Sequence, residues 1–477
     1  MPASVTRRFL TQLLSLLTGA VLLFAAVVVS AQPPGGRGGF GPGGPGGGFG
    51  GFGRRGAAAP PVTPEAVPLP TEWRLVDGPG PMFNSDPSHL PGHAPDDYDY
   101  LRLEFFVSGM ANDEPYTTRV VIRTPGEDQD FRGLVLAESM HSSGAAHMFE
   151  FSAVYIMDAG HAAVEILTTS PQQFVDFNAA RYSDLVVPQT EANMIIAQIG
   201  ASIKSDSGPF GGSVRKMVLG GTSMSSQTMA VYMTDHDRLR LPNLEQIYDG
   251  YFPTSNGNDM DRVDVPLIQM PTMHEVTGNI TRRDDGDEPG NQYRNYEWSA
   301  NGHVDSRDNI RLIPNPCEYP RSMLPEQAFW SVSLHHLFQW VDEGIVPPKA
   351  DRIWKDRNVT NDGSPMALDE HGNPLGGIRS PYVDVPVASY HPVNVAADPA
   401  PAEVSEWIQN NVGGAGIMCR LSAYQLPFSD EKLRELYGTP RAYRRAFEAS
   451  LDELEEAGWS LPVYHDIIMG DAEAIDF

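Results

Sequence analysis

Ser223 stands in a setting that suits a catalytic nucleophile. It is the central residue of the motif G-T-S-M-S, which starts at Gly221 and follows the apolar run Met217–Leu219. A serine held at a sharp turn between a buried strand and a helix needs small residues two positions before and after it, because the backbone passes close to its neighbours. Gly221 meets this need, and Ser225 takes the second small position. The motif predicts acyl transfer through Ser223, although Gly- and Ser-rich turns after apolar strands are commonly only turns.

A nucleophilic serine needs a histidine as base and an acid that orients the histidine. On a fold with this strand-turn-helix motif, the acid and then the histidine follow the serine, on loops after later strands. Glu275 follows a predicted strand that ends at Met270, and His303 follows the next one. We therefore predict a triad of Ser223, Glu275 and His303.

Other residues compete for these roles. Asp249 precedes Glu275 by one predicted strand. Asp305 lies only two residues after His303, and a residue so close in the chain cannot easily orient the His303 ring from a neighbouring loop. Asp264 and His274 are further candidates in the same region.

The tetrahedral intermediate of acyl transfer needs two hydrogen-bond donors for its oxyanion. The backbone N–H of Met224 is one donor by its position after the nucleophile. The second is expected in the loop 141–144, where Ser142 is the candidate. A side-chain role for His141 is the alternative.

The surrounding elements predict an α/β fold. Tyr98–Val107 and Thr117–Thr124 are rich in β-formers and predict an antiparallel opening. Beyond them, buried strands alternate with amphipathic helices, which predicts a mostly parallel central sheet with helices on both faces, the arrangement of α/β hydrolases. The predicted strands are Leu134–Glu138, His161–Thr168, Val218–Leu219, Ile247–Phe252, Val265–Met270 and Tyr296–Ala300, and the predicted helices are His147–Asp158, Glu191–Lys204 and Ser225–Asp235.

The region after His303 is expected to contribute covering or cap segments. Pro325–Glu343 has a one-sided apolar pattern that includes Trp330 and Leu337, which favours core packing over a cap. The stretch Trp354–Asn394 and a later helix around Phe447 either complete a substrate pocket or cover the sheet.

The N-terminus predicts export. Arg7 and Arg8 precede the apolar run Leu13–Val29, so residues 1–31 are predicted to be a signal peptide. If this segment is not cleaved, it would anchor the protein in a membrane. Residues 32–61 are rich in glycine and proline and predict a flexible linker, which leaves residues 62–477 as the hydrolase domain with its C-terminal extension. The expected location is secreted or periplasmic.

The net charge of the chain narrows the classes of possible binding partners. The 477-residue chain has a formal net charge of -27, which argues against nucleic acid as a binding partner.

Cys317 and Cys419 are the only two cysteines, and in an exported protein they predict a disulfide, with two free thiols as the alternative. The acidic run Asp284–Glu288 lacks the spacing of a calcium loop and is interpreted as solvated charge, so neither a metal nor another cofactor is expected.

Several segments together resemble the α/β-hydrolase-domain family of mostly uncharacterised, exported bacterial proteins. The similarity extends over nearly all of the chain after the linker, with Thr222, Met224 and Thr277 departing from the family pattern. The segments that carry it are 133–138, Arg181-Tyr182, 220–225, 272–275, 297–305, 328–348, 376–386 and 436–438. The resemblance implies the α/β-hydrolase fold and hydrolytic activity, on substrates that it does not identify.

The predicted function is that of an exported serine hydrolase that cleaves a small-molecule carboxylic ester through an acyl-enzyme on Ser223. An amidase or a lactonase would use the same triad. A catalytically inactive hydrolase-fold protein that binds a ligand at the cell envelope is the alternative from another functional class.

Overall fold

A computed structural model describes residues 62–127, 129–278, 280–307, 309–356, 366–399, 401, 408 and 414–477. Residues Pro64–Phe477 form one compact unit. The predicted signal peptide and linker, residues 1–61, lie outside the described residues and stay predictions. No helix of the described part of the chain has the length and apolar character that a membrane crossing requires.

The strands of the described residues form one large sheet and two small ones. They are β1 (Glu65–Ala66), β2 (Glu72–Leu75), β3 (Tyr100–Ala111), β4 (Glu114–Pro125), β5 (Leu134–Ser139), β6 (Ala162–Ile166), β7 (Lys216–Thr222), β8 (Leu239–Arg240), β9 (Gly250–Thr254), β10 (Leu267–Gln269), β11 (Tyr293–Asn295), β12 (Ala388–His391) and β13 (Tyr424–Pro427). The large sheet has nine strands in the order β11-β10-β9-β7-β5-β6-β4-β3-β2. In the small sheets β1 pairs with β8 and β12 with β13.

The large sheet is parallel from β6 to β11 and antiparallel at the other edge. Parallel pairs join β6, β5, β7, β9, β10 and β11. The hairpin of β3 and β4, with β2 beside it, pairs antiparallel to β6. The predicted mostly parallel sheet with an antiparallel opening is confirmed.

The helices lie mainly between the strands and in the C-terminal third. They are α1 (His147–Glu150), α2 (Ala153–Asp158), α3 (Gln172–Phe177), α4 (Ala179–Tyr182), α5 (Ala192–Lys204), α6 (Ser223–Met233), α7 (Met273–Thr277), α8 (Glu326–Glu343), α9 (Pro381–Asp384), α10 (Ala415–Leu421), α11 (Asp430–Tyr437), α12 (Pro440–Glu456) and α13 (His465–Glu473). Short 3-10 helices occur at Pro95–Tyr98, Gln189–Glu191, Ile310–Leu312 and Pro462–Tyr464.

Both faces of the large sheet are buried. Successive residues of a strand point to opposite faces. Leu136 and Val218 belong to a core cluster that also contains residues of α2, α8 and α12. Their neighbours Val135 and Leu219 point the other way and are fully buried as well. The predicted covering of both faces is therefore confirmed.

Helix α8 is a core helix and not a cap. It contacts β7, β9 and β10. Trp330, Leu334 and Leu337 on its apolar face are almost completely buried. The favoured interpretation of this helix as core packing is confirmed, and Phe447 of α12 belongs to the same core.

Two predicted elements differ from the structure. The helix predicted over His147–Asp158 is interrupted between α1 and α2, where the Ser152 hydroxyl donates to the Met148 carbonyl at 2.6 Å and competes with the helical bonding. The segment Tyr296–Ala300, predicted to be a strand, follows β11 and leaves the large sheet. Its backbone pairs with Ile378 instead.

The acidic run Asp284–Glu288, interpreted as solvated charge, is exposed at Asp284, Asp287 and Glu288 but not at Asp285. Asp285 is nearly buried and forms an ion pair with Arg352. Asp287 forms ion pairs with Arg294 at 2.6 Å and Lys349 at 3.2 Å. This run therefore fixes its own loop through basic residues, which the spacing along the sequence does not reveal.

Candidate active site

The turn between β7 and α6 holds Ser223 in a strained conformation. Strand β7 ends at Thr222, and α6 begins at Ser223, whose φ is 51°. A positive φ is uncommon for a residue other than glycine, and such strain collects at functional sites. The geometry is that of a nucleophile elbow.

Two small residues make this turn possible. A Cβ atom on Gly221 would lie 2.7 Å from the backbone of Ser225 and Ser226, so only glycine fits at this position. Ser225 replaces the usual second glycine and ties the turn together: the Thr222 N–H donates to the Ser225 hydroxyl at 2.9 Å, and that hydroxyl donates to the Thr222 carbonyl at 2.9 Å.

Ser223, His303 and Glu275 lie in one hydrogen-bonded chain. His303 Nε2 is 3.0 Å from Ser223 Oγ, and His303 Nδ1 is 2.5 Å from Glu275 Oε1. A neutral imidazole with its proton on Nδ1 donates to Glu275 and accepts from the serine hydroxyl, as a general base must. The structure therefore brings the three predicted residues together in the predicted order.

The parallel sheet accounts for this meeting point. Ser223, Glu275 and His303 follow the carboxyl ends of β7, β10 and β11, respectively. Carboxyl ends of parallel strands share one edge of the sheet, and loops there form the sites of α/β proteins.

Glu275 remains negatively charged in this setting. Burial acts to raise the pKa of Glu275, but the nearby His303 and hydrogen bonds from His303 and Thr272 outweigh it and lower this pKa to about 2. The Thr272 N–H and hydroxyl donate to Glu275 Oε2 at 2.9 Å and 2.7 Å. The carboxylate is thus fixed at the start of α7 and points one oxygen at the imidazole.

The rival acid Asp249 lies at the other end of the sheet. It precedes β9, and its carboxylate contacts Lys204 at 2.6 Å and Lys216 at 3.3 Å. It also accepts from the Met217 N–H at 2.8 Å. Asp249 therefore fixes the beginnings of β7 and β9 and is remote from the elbow.

The remaining candidates have other partners. Asp264 contacts His236 at 2.7 Å. Asp305 accepts from the Arg307 N–H at 3.1 Å, within its own loop. His274 lies beside His303 in a T-shaped ring arrangement, with ring centroids 5.2 Å apart.

A cavity of ≈ 200 Å³ opens beside Ser223. Ser142 and Met224, the predicted oxyanion donors, both line it. Met224 is the second residue of α6, where a helix leaves its N–H groups without intrahelical acceptors. The other lining residues are His141, Ser143, His147, Phe151, Thr222, His303, Val304, Asn309, Ile417, Met418 and Leu421.

The loop that carries Ser142 is held firmly at both ends. The Met140 N–H donates to the Ile166 carbonyl at 2.8 Å, and Glu138 accepts from two N–H groups at the start of α1 at 3.1 Å. His141 Nδ1 lies 2.7 Å from the Ser143 hydroxyl, and burial holds the pKa of His141 well below its usual range. His141 is therefore neutral and contacts its own loop.

Sequence reasoning missed Glu326, which supports the histidine loop. Glu326 is fully buried and accepts from the Gly302 N–H at 2.8 Å. Burial raises the pKa of Glu326 well above its usual range, which favours the neutral carboxyl group. The available signal was a glycine, Gly302, beside His303: in the structure a Cβ there would lie 2.7 Å from the Cβ of Ala423 and 2.9 Å from Glu326 Oε1.

Sequence reasoning also missed α10 as part of the site. Ile417, Met418 and Leu421 line the cavity, although they lie more than a hundred residues after His303. The nearby disulfide was predicted correctly: Cys317 and Cys419 are joined. The alternative of two free thiols is wrong.

Comparisons with solved structures find distant hydrolases. The esterase Est22, solved with p-nitrophenol, is 7% identical over 39% of this chain and 68% of that chain, with a TM-score of 0.29. An α/β serine hydrolase without lid from Xanthomonas campestris is 9% identical over 36% and 71%, with a TM-score of 0.25. A dienelactone hydrolase from Anabaena variabilis is 13% identical over 36% and 75%, with a TM-score of 0.24. These likenesses are too distant to bear on the activity of this chain.

No curated protein matches the chain. The model of one protein family, described as the alpha/beta hydrolase domain, matches residues 76–469. This range contains the elbow and the loops of Glu275 and His303. It also contains eight of the nine strands of the large sheet, since only β2 precedes it. The chain therefore belongs to the alpha/beta hydrolase domain family.

Proposed function

We propose that this protein is a serine hydrolase that cleaves a small-molecule carboxylic ester through an acyl-enzyme on Ser223. The observation that carries the proposal is the continuous hydrogen-bonded chain from Ser223 through His303 to Glu275, which starts at a strained elbow. A serine that served only to cap a helix would not need a base 3.0 Å from its hydroxyl.

In the proposed acylation step, His303 Nε2 takes the proton of the Ser223 hydroxyl while Oγ attacks the ester carbonyl. The C–O bond to the alcohol then breaks, and His303 gives its proton to the departing alkoxide. Glu275 stabilises the imidazolium in between because it is negatively charged. The N–H groups of Met224 and Ser142 are the proposed donors to the oxyanion.

Deacylation repeats these roles with water. His303 takes a proton from water, the hydroxide attacks the acyl carbonyl, and Ser223 leaves with the proton that His303 returns. The products are a carboxylic acid and an alcohol. No metal or cofactor takes part in this scheme.

An exported location is part of the proposal. The buried disulfide between Cys317 and Cys419 supports it, because such bonds persist in oxidising compartments. The apolar segment near the N-terminus, predicted to be part of a signal peptide, also agrees with a secreted or periplasmic location. If this segment were retained, it would anchor the protein to a membrane.

Hydrolysis of p-nitrophenyl acetate by wild type and by Ser223→Ala tests the proposed activity. Loss of the nucleophile from a working triad costs about a million-fold in turnover. The variant should therefore be almost inactive while its circular dichroism spectrum is unchanged. A parallel assay with an amide and a lactone distinguishes an esterase from the two related activities. Near-normal ester turnover by folded Ser223→Ala would contradict the proposal, and no turnover of any substrate by wild type would favour a binding protein.

A further inference from the structure

Helix α10 supplies an apolar part of the cavity wall. Ile417, Met418 and Leu421 line the cavity from this helix, together with Phe151 of the α1–α2 break. The lining also includes hydroxyl, amide and imidazole groups of Ser142, Asn309 and other residues. A substrate placed against Ser223 therefore meets an apolar surface contributed largely by α10.

Among the described residues, the apolar contacts of α10 include a small cluster. Met418 is buried in a small cluster with Leu312 and Ile408, against which Val304 packs, while Ile417 is 39% exposed. This small cluster is separate from the main core under the sheet.

Backbone contacts connect α10 to the histidine loop. Ser422, directly after the helix, pairs with Val304, the residue that follows His303. The Asn394 N–H donates to the Cys419 carbonyl at 3.1 Å. Movement of α10 would thus change the cavity beside His303.

The disulfide adds a covalent connection to these contacts. Cys419 is fully buried in α10, between the cavity-lining residues Met418 and Leu421. Its partner Cys317 lies 102 residues earlier, in a segment whose backbone pairs with Ala396. Closing a loop of this length removes much of the freedom of the unfolded chain and, in the folded protein, ties the pocket wall to a second segment.

We propose that α10 is the specificity-determining wall of the substrate pocket, that the Cys317–Cys419 disulfide positions it, and that the pocket selects esters with a compact apolar group, such as a benzoyl group. This inference rests on the proposed ester hydrolysis at Ser223. It predicts that loss of the disulfide or of an apolar side chain of α10 impairs binding of the apolar group more than it impairs the chemical step.

The experiment compares kcat/KM for p-nitrophenyl benzoate and p-nitrophenyl acetate. In Leu421→Ala, the benzoate-to-acetate ratio should fall about tenfold or more, mainly through KM, as expected for lost contacts in an apolar pocket. In Cys317→Ser/Cys419→Ser the same ratio should fall in the same direction. Leu426→Ala is the matched control, because Leu426 is a half-exposed leucine of β13 that does not line the cavity, and it should leave the ratio unchanged.

The outcomes separate this inference from the proposed function. Labelling of Ser223 by a fluorophosphonate and acetate hydrolysis by wild type test the function alone. An unchanged ratio in Leu421→Ala, or in a double serine variant with normal circular dichroism, overturns the inference even if acetate is hydrolysed. If the double variant does not fold, Leu421→Ala with the disulfide intact decides the question of the wall. The wild-type ratio before and after reduction, with circular dichroism as the control for folding, decides the role of the disulfide.

Discussion

The negative charge of Glu275 is the property on which the proposed histidine chemistry depends. With the pKa lowered to about 2, this carboxylate is ionised throughout the neutral and mildly acidic range. Its Oε1 atom faces the imidazole, while the two donors of Thr272 fix Oε2. The imidazole is thereby held with its other nitrogen toward Ser223.

Replacement of Glu275 by glutamine tests this role. The amide preserves the shape but removes the charge that stabilises the imidazolium. Because the two Thr272 donors hold the amide oxygen at the Oε2 position, the NH2 group would face His303 and favour the wrong tautomer, so kcat should fall about ten-thousand-fold. Asp249→Asn is the matched control, since Asp249 contacts Lys204 and Lys216 away from the site. This variant should keep the wild-type turnover, although it should be less stable. Steady-state kinetics of both variants decide between the two acids. Wild-type turnover by Glu275→Gln together with collapse in Asp249→Asn would show that the acid is wrongly assigned.

Glu326 is a positioning residue in this account, because it contacts the backbone of Gly302 and not the reacting atoms. Glu326→Ala leaves the Gly302 N–H unsatisfied and should lower kcat by roughly ten- to a hundred-fold with little change in KM, as expected when a catalytic group is misplaced. Glu326→Gln keeps an acceptor oxygen and should restore most of kcat. Kinetics and thermal unfolding of the two variants provide the comparison. Equal losses in both would mean that the hydrogen bond to Gly302 is unimportant.

At the scale of elements, the elbow joins β7 to α6 with space for only a hydrogen atom at Gly221. Gly221→Ala would push a methyl group into the backbone of Ser225 and Ser226, at 2.7 Å. We expect a loss of about 1–3 kcal/mol in the free energy of unfolding from overpacking, and about a hundred-fold lower kcat because Ser223 is displaced.

Gly220→Ala is the control for that substitution. Its methyl group would approach the ends of the Met148 and Leu136 side chains at 3.0 Å and 3.1 Å, and side-chain ends can move where a backbone cannot. Its effects on denaturant unfolding and on kcat should be smaller. If Gly220→Ala proves the more damaging of the two, the close approach at Gly221 does not govern the elbow.

The elements near the elbow could be predicted from the sequence because local pattern determines them. A buried apolar run, a glycine and a serine-rich turn specify β7 and the start of α6 over a few residues. The order of strands then places Glu275 and His303 at the same edge of the sheet. The oxyanion loop follows from its position after β5.

Long-range pairing could not be predicted in the same way. Tyr296–Ala300 is rich in aromatic and small residues, as a strand would be, but it pairs with Ile378, far away in the sequence. The contribution of α10 depends on a crosslink and on contacts with the loop of Val304, and no periodic pattern encodes these. Asp285 likewise has its partner Arg352 in a distant segment.

At the scale of the whole molecule, buried ion pairs join the antiparallel edge to the parallel half of the sheet. Arg123 of β4 is fully buried and contacts Glu165 of β6 at 3.0 Å and Asp86, in the segment between β2 and β3, at 3.0 Å. These groups are desolvated, so removal of one partner leaves a buried charge without compensation.

Arg123→Met should therefore lower the free energy of unfolding by about 3–5 kcal/mol. The matched control is Arg74→Met, which breaks an ion pair with Asp184 whose side chains are 46% and 66% exposed, and a surface pair contributes roughly 0–1 kcal/mol. Urea unfolding of the two variants and wild type measures the difference. Similar stabilities for both variants would contradict the view that this buried network holds the two parts of the sheet together.

The most direct test of the central claim is intact-protein mass spectrometry after treatment with a fluorophosphonate, which reacts covalently only with an activated serine. We expect one adduct on the wild-type protein, located at Ser223 by peptide mapping, and none on folded Ser223→Ala under the same conditions. A folded wild-type protein that remains unlabelled, or an equal adduct on Ser223→Ala, would contradict the claim that Ser223 is the nucleophile.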